Sequence, residues 1–180
     1  MSQDVATLRV FVALVPPPAL AIALGDLARD VARRAHGRPV PADNIHLTLA
    51  FIGAWPAAQV ASLLAAGTAV DADSMRITLD TQGGFRRAGI AWIGASSPPP
   101  GLGRLANSVT AALIANGVSY DEQRFHPHVT LARRCRGPYP HEVAGPFAWD
   151  VDSIALMRSE TGVEGVRYTR LATWPMRGKT

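Results

Sequence analysis

Lysine and cysteine are almost absent from this chain of 180 residues. Of its 18 basic residues only Lys179 is a lysine, and Cys135 is the only cysteine. A single thiol excludes an intrachain disulfide, which fits a reducing compartment such as the cytoplasm. Arginine presents a planar fork of donors suited to phosphate, so the bias is compatible with an anionic partner, although a coding preference for arginine gives the same excess.

Long apolar runs are absent as well. The N-terminal stretch VFVALVPPPALAIAL is interrupted by three prolines, which is atypical of a signal peptide. No run reaches the roughly 18 apolar residues of a membrane span. We therefore expect a cytoplasmic protein that does not enter membranes. The length of 180 residues predicts a single compact domain over residues 1–180, and the hydrophobic fraction of 48% is typical of a folded globular protein. We expect this domain to be monomeric.

One order of elements occurs twice along the chain. Leu8–Val15 predicts a buried strand, Pro16–Pro18 opens an amphipathic helix, and a strand follows at His46. In the second half the strand GIAWIG precedes Pro98–Pro100, another amphipathic helix and a strand at His128. The chain therefore contains an internal duplication of a strand–helix–strand unit.

The remaining elements complete the predicted fold. A further helix is expected near Pro56–Ala66, and residues 75–94 predict two strands joined by a Gly-rich turn. Residues 148–159 and 166–174 predict two final strands. We expect an α+β fold of two lobes related by pseudo-two-fold symmetry, with sheets facing a shared central cleft and helices outside.

Each duplicated strand carries a histidine and a threonine two residues apart. The stretch NIHLTLAFIG holds His46 and Thr48, and RFHPHVTLARR holds His128 and Thr130. Side chains alternate along a strand, so each His–Thr pair shares one face while the aliphatic neighbours share the other.

Strict alternation also assigns faces to the residues that follow. Ala50 and Arg134 are expected on the histidine face, and Phe51 and Arg133 on the opposite face unless a bulge intervenes. We expect Arg134 to contact substrate, and we expect the aromatic rings of Phe51, Trp92 and Phe125 to pack in the core.

Paired imidazoles suit a displacement in which one proton is removed while another is supplied. The unperturbed histidine pKa of about 6.5 lies near the working pH, and a threonine hydroxyl can donate to a phosphate oxygen. The pattern favours hydrolysis of a strained phosphodiester through base-activated water, without metal or other cofactor.

Other sites are less well supported. A zinc site needs three or four ligands, whereas two histidines converge and neither motif holds a carboxylate. No G-x-S-x-G elbow occurs, and no acyl-transfer signature surrounds Cys135, although the neighbouring arginines could lower its pKa. His126 is expected to support the site structurally, and His36 and His141 to lie in loops or at helix ends.

The motifs HLTL and HVTL resemble the paired H-x-T-x motifs of the 2H phosphoesterase superfamily, and above all the RNA 2′,3′-cyclic phosphodiesterases, also called 2′-5′ RNA ligases. The stretches LRVFVALVPPP, AWIG and SETGVEGVRYTRLATWPM resemble further segments of that family. The resemblance implies metal-independent opening of a ribose 2′,3′-cyclic phosphate, at an RNA end or on a small cyclic nucleotide, to a 2′-phosphomonoester. It implies that His46 donates the proton to the leaving oxygen and His128 accepts one from water.

The resemblance also implies that Thr48 and Thr130 bind the phosphate, and Arg133 matches an arginine common after the second motif. The sequence is symmetric, so by itself it does not say which histidine is the acid. Two other functions stay open: a non-catalytic module that binds RNA ends or nucleotides, and a cyclic phosphodiesterase for a small nucleotide-derived substrate.

Overall fold

The computed structural model describes residues 6–141, 145–163 and 165–178. The helices are α1 (Pro18–Arg34), α2 (Val60–Ala69) and α3 (Pro100–Ala115). The strands are β1 (Thr7–Leu14), β2 (Arg38–Pro39), β3 (Leu47–Pro56), β4 (Met75–Leu79), β5 (Thr81–Phe85), β6 (Ile90–Gly94), β7 (Val129–Arg133), β8 (Phe147–Val151), β9 (Ser153–Gly162) and β10 (Gly165–Pro175). Short 3₁₀ turns lie at Ala42–Asn44, Ala57–Gln59 and Arg86–Ala88.

Eight strands form one antiparallel sheet in the order β10-β9-β1-β3-β7-β6-β5, with β2 paired to β7. The two halves of this sheet meet at one pair of residues, Leu47 of β3 and Val129 of β7. On one side lie β10, β9, β1 and β3, and on the other β2, β7, β6 and β5. The predicted α+β fold with two similar lobes is confirmed.

The helices start where proline costs least. α1 and α3 each begin at the last proline of a triplet, in the first turn, where the missing N–H has no partner to lose. Gly117 follows α3 with φ +70°, as a C-terminal glycine should. Two helices pack on the opposite half of the sheet from the strand that precedes them. α1 follows β1 but packs on β7, and α3 follows β6 but packs on β3. These contacts hold the two halves of the sheet together.

Two stretches that we expected to be simpler contain an extra strand. Residues 75–94 form three strands instead of two, and the turn before β6 is FRRAG, with Gly89 at φ +62°. Gly83 and Gly84 lie inside β5 and not in a turn. The rings of Trp92 and Tyr139 lie so close to the backbone at these positions that a side chain would not fit. The chain turns between β4 and β5 at Asp80, whose carboxylate accepts hydrogen bonds from the N–H and hydroxyl of Ser96, both 2.7 Å.

Residues 148–159 likewise do not form one strand. Asp152 separates β8 from β9, and β8 leaves the main sheet to pair with β4 in a separate two-stranded sheet. Its Trp149 is 2% exposed and packs in the main hydrophobic core. No helix in the described part of the chain is long and apolar enough to cross a membrane.

Candidate active site

The two H-x-T strands meet at a cleft of about 750 Å³ that opens between the halves of the sheet. Leu47 and Val129 pair directly in antiparallel register. In such a register the flanking residues face each other crosswise, so His46 lies next to Thr130 and Thr48 lies next to His128. The fold thus brings together the four residues of the two motifs.

His46 is held by the turn that precedes β3 and by two aromatic rings. Its Nδ1–H donates to the carbonyl oxygen of Asn44, 2.7 Å away. The ring lies 4.8 Å from that of Phe11 and 5.1 Å, edge to face, from that of Tyr168. These contacts fix the orientation of the imidazole and remove water from around it.

His128 has a matching environment in the other half. Its Nδ1–H donates to the carbonyl oxygen of His126 over 2.7 Å, again two residues earlier in the chain. Its ring lies 5.0 Å, edge to face, from Phe85 and 6.5 Å from Trp92. His126 therefore supports the site through its backbone, and its exposed ring packs against Phe85 and Trp92.

The hydrogen bonds settle the tautomer of both imidazoles. A carbonyl oxygen can only accept, so Nδ1 of His46 and of His128 must carry a proton. In the neutral ring Nε2 is then the acceptor. Each histidine thus offers one basic nitrogen, and each acts as an acid only when it gains a second proton.

Both histidines are harder to protonate than a free imidazole. Burial lowers the pKa of His46 to about 4, against the opposing hydrogen bond to Asn44 and with help from the positive charges of Arg133 and His128. Burial also lowers the pKa of His128, as do the nearby charges of His126 and Arg133. Because the charge of His128 acts on the pKa of His46, the two imidazoles lie near each other in the site.

Matching bulges follow the two threonines. In β3 the pairing with β1 places Thr48 and Ala50 opposite consecutive residues, so Leu49 is the extra residue. In β7 the pairing with β6 skips Leu131 in the same way. A bulge reverses the alternation of faces, so Ala50 enters the main core instead of facing the cleft as strict alternation predicts.

The same bulges place Phe51 and Arg133 on the histidine face. Phe51 lines the cleft and does not lie on the buried face as we expected. Arg133 also lines the cleft, and its charge acts on both histidines. Trp92 lies against His128, outside the core where we expected it, whereas Phe125 packs against the core as expected.

Arg134 lines the cleft as well, in an unusual backbone conformation. Its φ of +56° lies in the left-handed region, which costs a residue with a β-carbon roughly 1–2 kcal/mol. Such strain is kept where the surrounding structure enforces it, commonly at binding sites. Both arginines proposed from the sequence are thus at the cleft, with Arg133 the closer influence on the imidazoles.

A family model decides the relationship of the chain. The model of the 2′-5′ RNA ligase superfamily matches residues 16–163, and these include both H-x-T motifs. The chain belongs to the 2′-5′ RNA ligase superfamily.

Curated members of this superfamily align with most of the chain. The RNA 2′,3′-cyclic phosphodiesterase of Escherichia coli K12 is 34% identical over 142 residues, which cover 78% of this chain and 80% of that protein. The one from Thermus thermophilus is 31% identical over 185 residues, covering 96% and 92%. The crystal structure of E. coli LigT complexed with 3′-AMP superimposes with a TM-score of 0.85 at 31% identity, covering 95% of this chain and 99% of LigT.

Asn44 is a residue of the site that the sequence motifs do not include. Its side-chain amide donates to the carbonyl oxygen of Val166 (2.6 Å), and its side-chain oxygen accepts from the N–H of Tyr168 (3.2 Å). The same residue's carbonyl orients His46. Asn44 thus ties β10, with the Tyr168 ring, to the histidine. The only signal in the sequence is its place two residues before His46, which matches that of His126 before His128.

The other candidates from the sequence lie elsewhere. Cys135 is 7% exposed, and burial raises the pKa of its thiol instead of the neighbouring arginines lowering it. His36 and His141 are exposed and do not line the cleft. Among the described residues, no group of three His, Cys, Asp or Glu side chains is arranged to hold a metal ion.

Proposed function

We propose that this protein hydrolyses the 2′,3′-cyclic phosphate at an RNA end to a 2′-phosphomonoester. The observation that carries the proposal is the crosswise meeting of two His–Thr pairs, each with Nδ1 of its histidine bonded to a carbonyl, beside Arg133. The relatives that cover most of the chain are named RNA 2′,3′-cyclic phosphodiesterases, which supports the same reaction here.

The two histidines divide the proton transfers. Nε2 of His128 accepts a proton from water as the water oxygen attacks phosphorus. The bond from phosphorus to the 3′ oxygen breaks, and His46 donates the proton that the oxygen needs to leave as a hydroxyl. The phosphate stays on the 2′ oxygen, and exchange with solvent returns both imidazoles to their starting states. Such general acid–base help contributes about 10²–10⁴ in rate.

The substrate itself helps to supply the proton on His46. With a pKa of about 4, His46 is protonated in about one molecule in a thousand at pH 7. A bound phosphodiester brings a negative charge next to the imidazole and offsets the positive charge of Arg133, and both effects raise the pKa. Protonation of His46 is therefore coupled to binding of the phosphate.

The threonines and Arg133 fit the role of phosphate ligands. Thr130 is buried and Thr48 half-buried, and both line the cleft next to the histidines. Hydroxyl and guanidinium donors fixed beforehand stabilise the charge that builds up on the non-bridging oxygens, at about 3 kcal/mol for a well-placed donor. Arg134 reaches the same cleft and is proposed as a further contact with substrate.

The test is the identity of the product. Short RNA with a 2′,3′-cyclic phosphate end is incubated with the enzyme and EDTA, and ³¹P NMR distinguishes the 2′- from the 3′-phosphomonoester. Formation of the 2′-phosphomonoester in chelator supports the proposal. A metal requirement points instead to a metallohydrolase.

Two alternatives keep definite outcomes in the same assay. Turnover of 2′,3′-cyclic mononucleotides without turnover of RNA favours a small nucleotide-derived substrate. Tight binding of cyclic-ended RNA without turnover favours the non-catalytic binding module.

A cytoplasmic location and a monomeric state belong to the proposal as well. Light scattering measures the oligomeric state.

A further inference from the structure

Six arginines gather at one end of the sheet, next to the cleft. We call this group the arginine shelf: Arg38, Arg86, Arg87, Arg133, Arg134 and Arg136. All six are exposed, and three of them line the cleft. The shelf therefore begins at the proposed phosphate site and continues outward over the protein surface.

Backbone contacts hold the members of the shelf together. Arg38 of β2 pairs with Arg133 of β7. The N–H of Cys135 donates to the carbonyl oxygen of Gly89 (2.9 Å), which joins the end of β7 to the turn that carries Arg86 and Arg87. The hydroxyl of Tyr139 reaches the carbonyl oxygens of Cys135 (3.1 Å) and Arg86 (3.4 Å). Hydrogen bonds thus connect the backbone segments that carry the shelf arginines.

The shelf is electrostatically unbalanced within the described part of the chain. Several arginines elsewhere form ion pairs, among them Arg29 with Asp26, Arg76 with Asp150, and Arg177 with Asp71 and Asp73. No ion pair between described residues involves a shelf arginine, and the segments 38–41, 85–90 and 131–140 contain no acidic residue. Six like charges, for which the described residues supply no ion-pair partner, form a local positive surface suited to an anion.

The strained backbone of Arg134 is a second, independent observation. A left-handed conformation favours glycine, yet an arginine with φ +56° stands at the border between cleft and shelf. Arg134 lines the cleft together with Arg133, which an isolated phosphate would already meet. A second arginine at that point fits a second phosphate group.

We propose that the arginine shelf binds the phosphodiester backbone of a single-stranded RNA segment that precedes the cyclic phosphate. The inference rests on the proposed function, because a 2′,3′-cyclic phosphate occupies the 3′ end and leaves the strand only the upstream direction. Guanidinium groups read the backbone without regard to base, so the segment is recognised by charge and not by sequence. RNA oligomers are therefore better substrates than cyclic mononucleotides.

The experiment compares kcat/KM for 2′,3′-cyclic AMP with that for oligomers of up to about ten nucleotides, the range of single-strand binding sites. The shelf variant is Arg86→Gln/Arg87→Gln/Arg136→Gln, which leaves the cleft arginines in place. The control variant, Arg29→Gln/Arg76→Gln/Arg104→Gln, removes the same charge from exposed positions away from the cleft. Fluorescence anisotropy with the same RNA measures binding independently of turnover.

We expect the wild type to have a higher kcat/KM for oligomers than for 2′,3′-cyclic AMP. The shelf variant should reduce this ratio at least tenfold while its kcat/KM for 2′,3′-cyclic AMP stays within twofold of wild type. The control variant should keep the wild-type ratio. It also expects the slope of log Kd against log salt to fall by about 0.7 for each RNA phosphate that the variant no longer neutralises. Equal kcat/KM for mononucleotide and oligomer, or equal losses in shelf and control variants, would overturn the shelf and leave the reaction standing. Inactivity on every cyclic phosphate would instead refute the proposed function, and anisotropy would then decide the shelf alone.

Discussion

His46 should make the protein sensitive to mild acid, by an amount that follows from its pKa. The unfolded imidazole titrates near pH 6.5 and the folded one near 4. Between these values the unfolded state binds more protons, so the free energy of unfolding falls as the pH falls. From pH 7 to pH 5 the loss through this one group is about 2 kcal/mol. Below about pH 4 both states are protonated and the loss levels off.

The substitution His46→Gln removes the titration and keeps an N–H for the carbonyl of Asn44. Urea unfolding at about pH 7 and about pH 5 gives the two free energies for wild type and variant. The variant should lose about 2 kcal/mol less than wild type across this interval, a difference of about 4–8 °C in Tm for a chain of this size. His36→Gln, at an exposed histidine, is the matched control and should show the wild-type loss.

An equal loss in wild type and His46→Gln would refute the reasoning. It would mean that His46 is protonated in the folded state as readily as in the unfolded one. The burial by Phe11 and Tyr168 would then not control the proton, and coupling of protonation to phosphate binding would have no basis.

Three further predictions follow from single contacts. Asn44→Ala keeps the carbonyl that orients His46 but removes both side-chain hydrogen bonds to β10, so the free energy of unfolding should fall by about 1–3 kcal/mol. The pKa of His46, followed by NMR, should rise because water enters the site, and an unchanged titration would contradict this. Arg133→Gln removes a positive charge that acts on both His46 and His128, so the pKa of each histidine should rise and KM should rise as well. Unshifted NMR titrations of the two histidines would exclude the charge effect. Gly83→Ala places a β-carbon against the indole of Trp92 and should lower the free energy of unfolding, measured by thermal unfolding, by about 1–3 kcal/mol. Gly103→Ala, which has open space around it, should not lower it, and equal effects of the two substitutions would rule out the clash.

The sequence predictions that the structure confirms are those that depend on local patterns. The apolar stripes of α1 and α3 and the β strands that follow the two histidines depend on neighbours a few positions apart, so periodicity reveals them. The family follows from the two motifs and their flanks, because H-x-T strands in both halves of a duplicated unit are a specific pattern.

Tertiary contacts decided what the sequence could not show. The bulges at Leu49 and Leu131 exist only in the register with β1 and β6, so strict alternation misplaced Phe51. Gly83 reads as a turn residue until the ring of Trp92 is seen to lie on it. The bonds that set both histidine tautomers go to backbone carbonyls, which every residue possesses and no motif reveals.

The most direct test of the account is a double-mutant cycle on the two histidines. Single-turnover rates on cyclic-ended RNA are measured, with EDTA present, for wild type, His46→Gln, His128→Gln and the double variant. If the imidazoles act as one acid–base pair, each single change costs about 10²–10⁴ and the double variant is about as slow as the slower single variant. Losses that simply multiply, or a single variant as fast as wild type, would contradict the claim that the two histidines work together on one phosphate.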